Sequence, residues 1–169
     1  MATLYLMLGF PGSGKTTTAH VIHDLTGATH LWADKIRRER FSQPTYSHQE
    51  NLELYDHLNL LTRELLAAGN SVVFDTNFNF YKDRQHLRQI AASEGAATEL
   101  IWVKTDRSIA KHRATQDAHK QQTRVLGNMS AEHFDRMANN LEPPHADETY
   151  IEIDGTKVTA DYVKQRLGL

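Results

Sequence analysis

Gly9-Phe10-Pro11-Gly12-Ser13-Gly14-Lys15-Thr16 decides how this chain is read, because its spacing is G-x-x-x-x-G-K-T, a phosphate-binding P-loop. The apolar run Leu4-Tyr5-Leu6-Met7-Leu8 precedes it with the length of a buried strand. Thr17 to Leu25 follows as a helix, with Gly27 in the place of a C-terminal cap. Glycines let such a loop turn its N–H groups inward, where side chains would keep phosphate oxygens away. The helix N-terminus adds the positive end of its dipole. The pattern therefore sets Gly9, Pro11, Gly12, Ser13, Gly14, Lys15, Thr16 and Thr17 around the phosphates of a nucleotide. Lys15 reaches for the β- and γ-phosphates, and the Thr16 hydroxyl is a ligand for Mg²⁺.

Outward from the loop, apolar runs alternate with helical stretches. Leu31-Trp32-Ala33 reads as a short second strand ending at Asp34, and a basic helix from Asp34 to Arg40 follows. Ser47-His48-Gln49-Glu50 has capping-box spacing and opens a long helix whose stripe is Leu54, Leu58, Leu61 and Leu65. Ser71 to Phe74 is a strand that ends at Asp75, followed by Thr76-Asn77-Phe78-Asn79. Tyr81 to Glu94 is amphipathic, with Leu87, Ile90 and Ala91 inward. Glu99 to Val103 is the fourth strand, and Asp106 is placed to cap the next helix. Residues 114–128 are polar with little apolar patterning, the composition of a lid. Ser130 caps a further helix, Tyr150 to Ile153 is the last strand, and the stretch from Thr159 is helical.

This alternation predicts an α/β fold: a mostly parallel five-stranded sheet with helices on both faces, one domain over 1–169, and a lid near 114–128. Ligands of such sheets lie outside the strand C-termini, where the P-loop, Asp34 and Asp75 converge.

Composition sets the bounds. The 169 residues are 40% hydrophobic and 24% charged, ordinary for a soluble protein, and 19 basic against 21 acidic residues leave a net charge of −2. A global field that attracts polyanions is excluded, so nucleic-acid binding would need a local patch. The absence of cysteine excludes disulfides and thiolate metal sites. With no long apolar run and no leader-like start, the expectation is a cytoplasmic protein that does not enter membranes. Ten histidines invite a metal reading, but no third ligand stands at a recognisable spacing, and they read as structural or surface groups. Ile151 to Thr156 echoes a phosphatase motif, yet Glu152 occupies the nucleophile position.

Phosphoryl transfer to an alcohol needs a carboxylate for the hydroxyl proton, a metal partner and cations around the moving group. Asp34 suits the first role, and a helix N-cap equally well. Arg37, one turn on, suits an acceptor's phosphate or the orientation of Asp34, whereas Arg38 and Arg40 read as a solvated face. Asp75 stands where a strand-end acid holds a Mg²⁺-bound water. Arg113 and Arg124 flank the lid as candidates to close over the phosphates.

Taken together, GFPGSGKTT, Ala33-Asp34-Lys35-Ile36-Arg37 and Phe74-Asp75-Thr76-Asn77-Phe78-Asn79 with Arg84 downstream resemble the 5′-hydroxyl kinase domain of phage-type polynucleotide kinase. They resemble equally the related small bacterial ATP-binding kinases of AAA type, and the likeness covers most of residues 1–145. The resemblance implies ATP and Mg²⁺ at Lys15 and Thr16, Asp34 as general base, and Arg37 on an acceptor phosphate. It also implies that Asp75 and Asn77 lie beside the active site. Arg113 falls after the fourth strand as that family's lid arginine does, while Arg124 comes later than its spacing. No fused phosphatase domain is recognisable, so two-step end healing is not expected. The acceptor implied first is a polynucleotide 5′-hydroxyl; a nucleoside, sugar or antibiotic hydroxyl is the alternative. A nucleotide-binding switch acting through a protein partner is the reading from a different class.

Overall fold

The computed structural model describes residues 1–77, 80–117 and 127–169. Five strands, β1 (Thr3–Leu8), β2 (Thr29–Trp32), β3 (Val72–Asp75), β4 (Ala97–Lys104) and β5 (Ile151–Asp154), form one sheet in the order β2-β3-β1-β4-β5. Every pairing in it is parallel. Connections between parallel neighbours must cross the sheet, and helices do so here: α1 (Lys15–Thr26), α2 (Ala33–Arg40), α3 (His48–Ala67), α4 (Tyr81–Ser93), α5 (Arg107–Thr115), α6 (Ala131–Asn139) and α7 (Ala160–Leu167).

The period of two along each strand feeds two cores. Leu4, Leu6 and Leu8 of β1 enter the layer shared with α3 and α4, beside Leu54, Leu58, Phe74 and Leu87. Met7, Val73, Ile101 and Ile153 enter the opposite layer, against Ala19 and Ile22 of α1 and Val163 of α7. Burial on both faces explains the near-continuous apolar runs, since each such side chain contributes roughly 1.5–3 kcal/mol on leaving water. A third, smaller cluster joins Ala110 and Ala114 of α5 to Phe134 and Ala138 of α6.

Two local expectations change. The second strand ends at Trp32, so Asp34 sits in the first turn of α2 and the N-cap position belongs to Trp32. An acid in a first turn faces the helix's positive end, which favours helix over strand at this point. On α3, Thr62 and Leu66 are buried where Leu61 and Leu65 are half-buried against the same core, so the stripe is rotated by one residue. The stop signals hold: Gly27, Gly69 and Gly95 adopt φ of +72°, +82° and +68° at the ends of α1, α3 and α4. Among the described residues no helix is long and apolar enough to cross a membrane.

Candidate nucleotide and acceptor site

β1 delivers the P-loop to the sheet's carboxyl edge, between its neighbours β3 and β4. The loop closes with Ser13 N–H on the Phe10 carbonyl at 3.0 Å, and Gly12 and Gly14 take φ of +78° and +98°. Gly14 holds the N-cap position of α1 with no side-chain cap, so the amides of the first turn face outward for an anion. Neighbouring backbone hems the loop in. A Cβ at Gly12 would stand 2.3 Å from the Ala110 carbonyl oxygen, and one at Gly155 would stand 1.8 Å from that of Ser13. Thr105, after β4, donates its hydroxyl to the Ser13 carbonyl at 2.7 Å. Arg113 donates to the Gly155 carbonyl at 3.1 Å and the Gly12 carbonyl at 3.4 Å, tying loop, α5 and the turn after β5 together. Pro11 is buried in this packing, and Thr17 is exposed on α1.

Lys15 is buried, and its ammonium donates to Asn77 Oδ1 at 2.7 Å. Asp75 ends β3 almost fully buried, with His30 Nε2 at 2.9 Å from its Oδ2. Burial alone would raise the Asp75 carboxyl. The His30 hydrogen bond, then the charge of Lys15 and the nearby Thr16 hydroxyl, outweigh burial and hold the group below its usual value. Carboxylate and hydroxyl side by side make an oxygen donor set suited to a hard cation. Behind Asp75, His30 stacks on Trp32 with centroids 5.8 Å apart, and His20 meets His30 edge-on at 4.9 Å. Burial, and then His30 beside it, lowers the His20 pKa. Among the described residues no group of three or more histidines, cysteines and acids is placed to hold a metal ion.

A cavity of about 700 Å³ opens where Asn77 ends the phosphate site. Asp34 and Arg37 of α2 form one wall, Tyr46 and Tyr55 stand beside them, and α6 closes the far side with His133 and Arg136. Arg37 is only 5% exposed, and its guanidinium is already engaged: Nη1 donates to Glu50 at 2.6 Å and Nη2 to Asn51 at 2.8 Å. The Tyr46 ring lies 4.3 Å from the guanidinium carbon. Tyr46 takes a left-handed φ of +57°, the single non-glycine residue to do so among those described. Burial, and then the Asp34 charge, raises the Tyr46 hydroxyl pKa. Tyr55 contacts Thr76 hydroxyl to hydroxyl at the cavity floor.

Asp34, Arg37, Thr16, Lys15 and Asp75 are thus gathered at one edge, while Arg113 lies behind the P-loop on its carbonyls. Arg124, and the lid segment around it from 118 to 126, lie outside the described residues. Sequence reading passed over Glu50, Thr105, Gly155 and the α6 wall. Glu50 was visible only as a capping-box acid. In the fold Ser47 does accept from Glu50 N–H, but the Glu50 carboxylate turns to Arg37 and Thr45 instead. The α6 wall had a readable signal, the helical spacing of His133, Arg136, Met137 and Asn140.

The sequence profile described as the AAA domain matches residues 4–144, which takes in the P-loop, α2, β3 and α6. The chain belongs to the AAA domain family. An uncharacterized protein of Mycobacterium tuberculosis is 27% identical over 133 residues, 68% of this AAA-domain chain and 27% of the relative. The chain therefore spans about a quarter of the length of the curated relatives it matches. Among solved structures, a sugar kinase from Janibacter sp. superposes with a TM-score of 0.69 at 18% identity, covering 99% of this chain and 92% of its own. A gluconokinase from Sinorhizobium meliloti gives 0.66 at 18%, covering 99% and 90%. At these identities the likeness establishes the fold: a P-loop α/β domain of the kind on which small kinases are built.

Proposed function

We propose that this AAA-domain protein is an ATP-dependent phosphotransferase that moves the γ-phosphate to a hydroxyl of a small polar molecule. Asn77 carries the reading, because it holds the P-loop Lys15 and also lines the cavity that begins with Asp34. A cavity of about 700 Å³ suits a metabolite-sized acceptor. In this reading Lys15 and the α1 amides grip the phosphates, and Thr16 and Asp75 would hold Mg²⁺, which would supply neutralisation of the phosphate charge. Asp34 takes the proton of the acceptor hydroxyl as its oxygen bonds to the γ-phosphorus. The bond from that phosphorus to the bridging oxygen breaks, and its electron pair leaves with ADP. Arg113 keeps the loop in register for this transfer.

The small-kinase folds named above support a small acceptor over a polynucleotide end. So does Arg37, the residue that the polynucleotide reading needs for a phosphate, since Glu50 already neutralises it. The test follows ADP release with ATP·Mg²⁺ across polyols, sugars, sugar acids, nucleosides and a 5′-hydroxyl oligonucleotide, beside Asp34→Asn. One small-molecule class should accelerate release, and Asp34→Asn should abolish that acceleration with ATP affinity kept. Stimulation by the oligonucleotide alone would return the polynucleotide reading. Indifference to every alcohol would leave a nucleotide-binding protein that is not a kinase.

A further inference from the structure

α6 has three faces. Phe134 and Ala138 are buried against α5, and Phe134 meets Phe10 of the P-loop with ring centroids 6.3 Å apart. Asp135 turns toward α5, where Lys111 and Arg107 donate to it at 2.8 Å and 3.3 Å. His133, Arg136, Met137 and Asn140 recur at i, i+3, i+4 and i+7, and all four line the acceptor cavity. The helix is therefore seated on the P-loop and braced on α5, with one polar face held toward the acceptor.

The two arginines that line the cavity among the described residues are not equivalent. Arg37 is buried under Tyr46, and its charge is compensated by Glu50 at 2.6 Å. Arg136 is exposed, and its guanidinium has no hydrogen-bond or ion-pair partner among the described residues. The nearest acid on its own helix, Asp135, is occupied by Lys111. Among the described residues that line the cavity, Asp34 stands on one wall and Arg136 on the other. An anionic group would be drawn to the Arg136 wall, which fixes which end of a ligand lies against α6.

We propose that the α6 face is an anion subsite, and that the acceptor is a small alcohol carrying a carboxylate or a phosphate. Arg136 grips the anion with its paired N–H groups, and Asn140 and His133 flank it. The hydroxyl at the other end of the molecule is thereby delivered to Asp34. This rests on the kinase reading above for its chemistry, but the subsite is a matter of binding and can be measured without turnover.

The experiment uses three matched six-carbon probes: an aldonate, the corresponding neutral alditol and the alditol phosphate. Each is titrated calorimetrically into the full chain with a non-hydrolysable ATP analogue present, and each is then assayed for ADP release. The aldonate or the alditol phosphate should bind about tenfold or more tightly than the alditol, as expected for a charge-assisted contact. Which of the two wins identifies the anion. Arg136→Gln should weaken the anionic probe about tenfold and raise its KM while leaving kcat and the neutral alditol unchanged. Arg136→Lys should restore part of the loss, and Arg38→Gln, on the exposed side of α2, should change nothing. Equal binding of neutral and anionic probes, or an Arg136→Gln loss that is the same for both, would overturn the subsite. Anion binding that depends on Arg136 without any phosphate transfer would keep the subsite and reject the kinase reading.

Discussion

Lys15 is a cation held ready, buried at the loop's end with its ammonium donating to the Asn77 amide oxygen. Lys15→Ala should therefore lower ADP formation by about 10³-fold or more while far-UV circular dichroism stays native. Gly155 matters from the other side, since a methyl group there would meet the Ser13 carbonyl and the Thr105 hydroxyl. Gly155→Ala should weaken ATP about tenfold by calorimetry and cost about 2 kcal/mol in urea unfolding, because backbone has to move. Unchanged ATP affinity would mean that the loop does not lean on that turn. The contrast marks what a sequence can disclose at this scale. Lys15 and Thr16 are legible because the loop that shapes them is one contiguous stretch, and Asp75 because it follows an apolar strand. Thr105 is separated from Ser13 by 92 positions, and nothing local to either predicts their bond.

Among the elements, α2 and α3 depend on one carboxylate. Burial alone would raise Glu50, but hydrogen bonds from the Thr45 backbone and from Arg37 outweigh it and hold the group at about 2, against an ordinary 4.5. Glu148, bonded to Arg84 and Arg88, behaves alike at about 2. Both folded values lie below the unfolded ones, so the stability they contribute is complete above about pH 4.5 and is lost as pH falls toward 2. The urea midpoint should accordingly hold steady from pH 8 to about 5 with respect to these groups, then drop. Glu50→Gln should lower the midpoint at pH 7 and flatten part of the acid limb. A midpoint equal at pH 7 and pH 3 would refute the sign. Helix ends were readable at this scale from glycines and caps. The turn from β2 into α2 was not, because Ala33-Asp34 suits either a strand end or a first helical turn.

For the molecule as a whole, two cores support a site that neither core contains. Saturating ligand should then act on the entire cooperative unit. ATP at about one hundred times its dissociation constant adds about 2.7 kcal/mol, which raises Tm by about 5–10 °C in a chain of this size. Lys15→Ala should abolish most of that shift. No shift with wild-type protein would argue against a nucleotide site. The alternation of strand and helix, and the edge at which ligands gather, were legible from apolar runs and glycines. The order β2-β3-β1-β4-β5 was not, since it is set by which distant strands pair rather than by any one of them.

The turn at Gly155 lies far along the chain from the phosphate loop it backs. During synthesis, residues 9–16 leave the ribosome long before that support exists. The loop can be translated early but can close around a nucleotide only after β5 has docked beside β4. On the proposed nucleotide site, capture would thus come late in the life of a nascent chain, once β5 has docked.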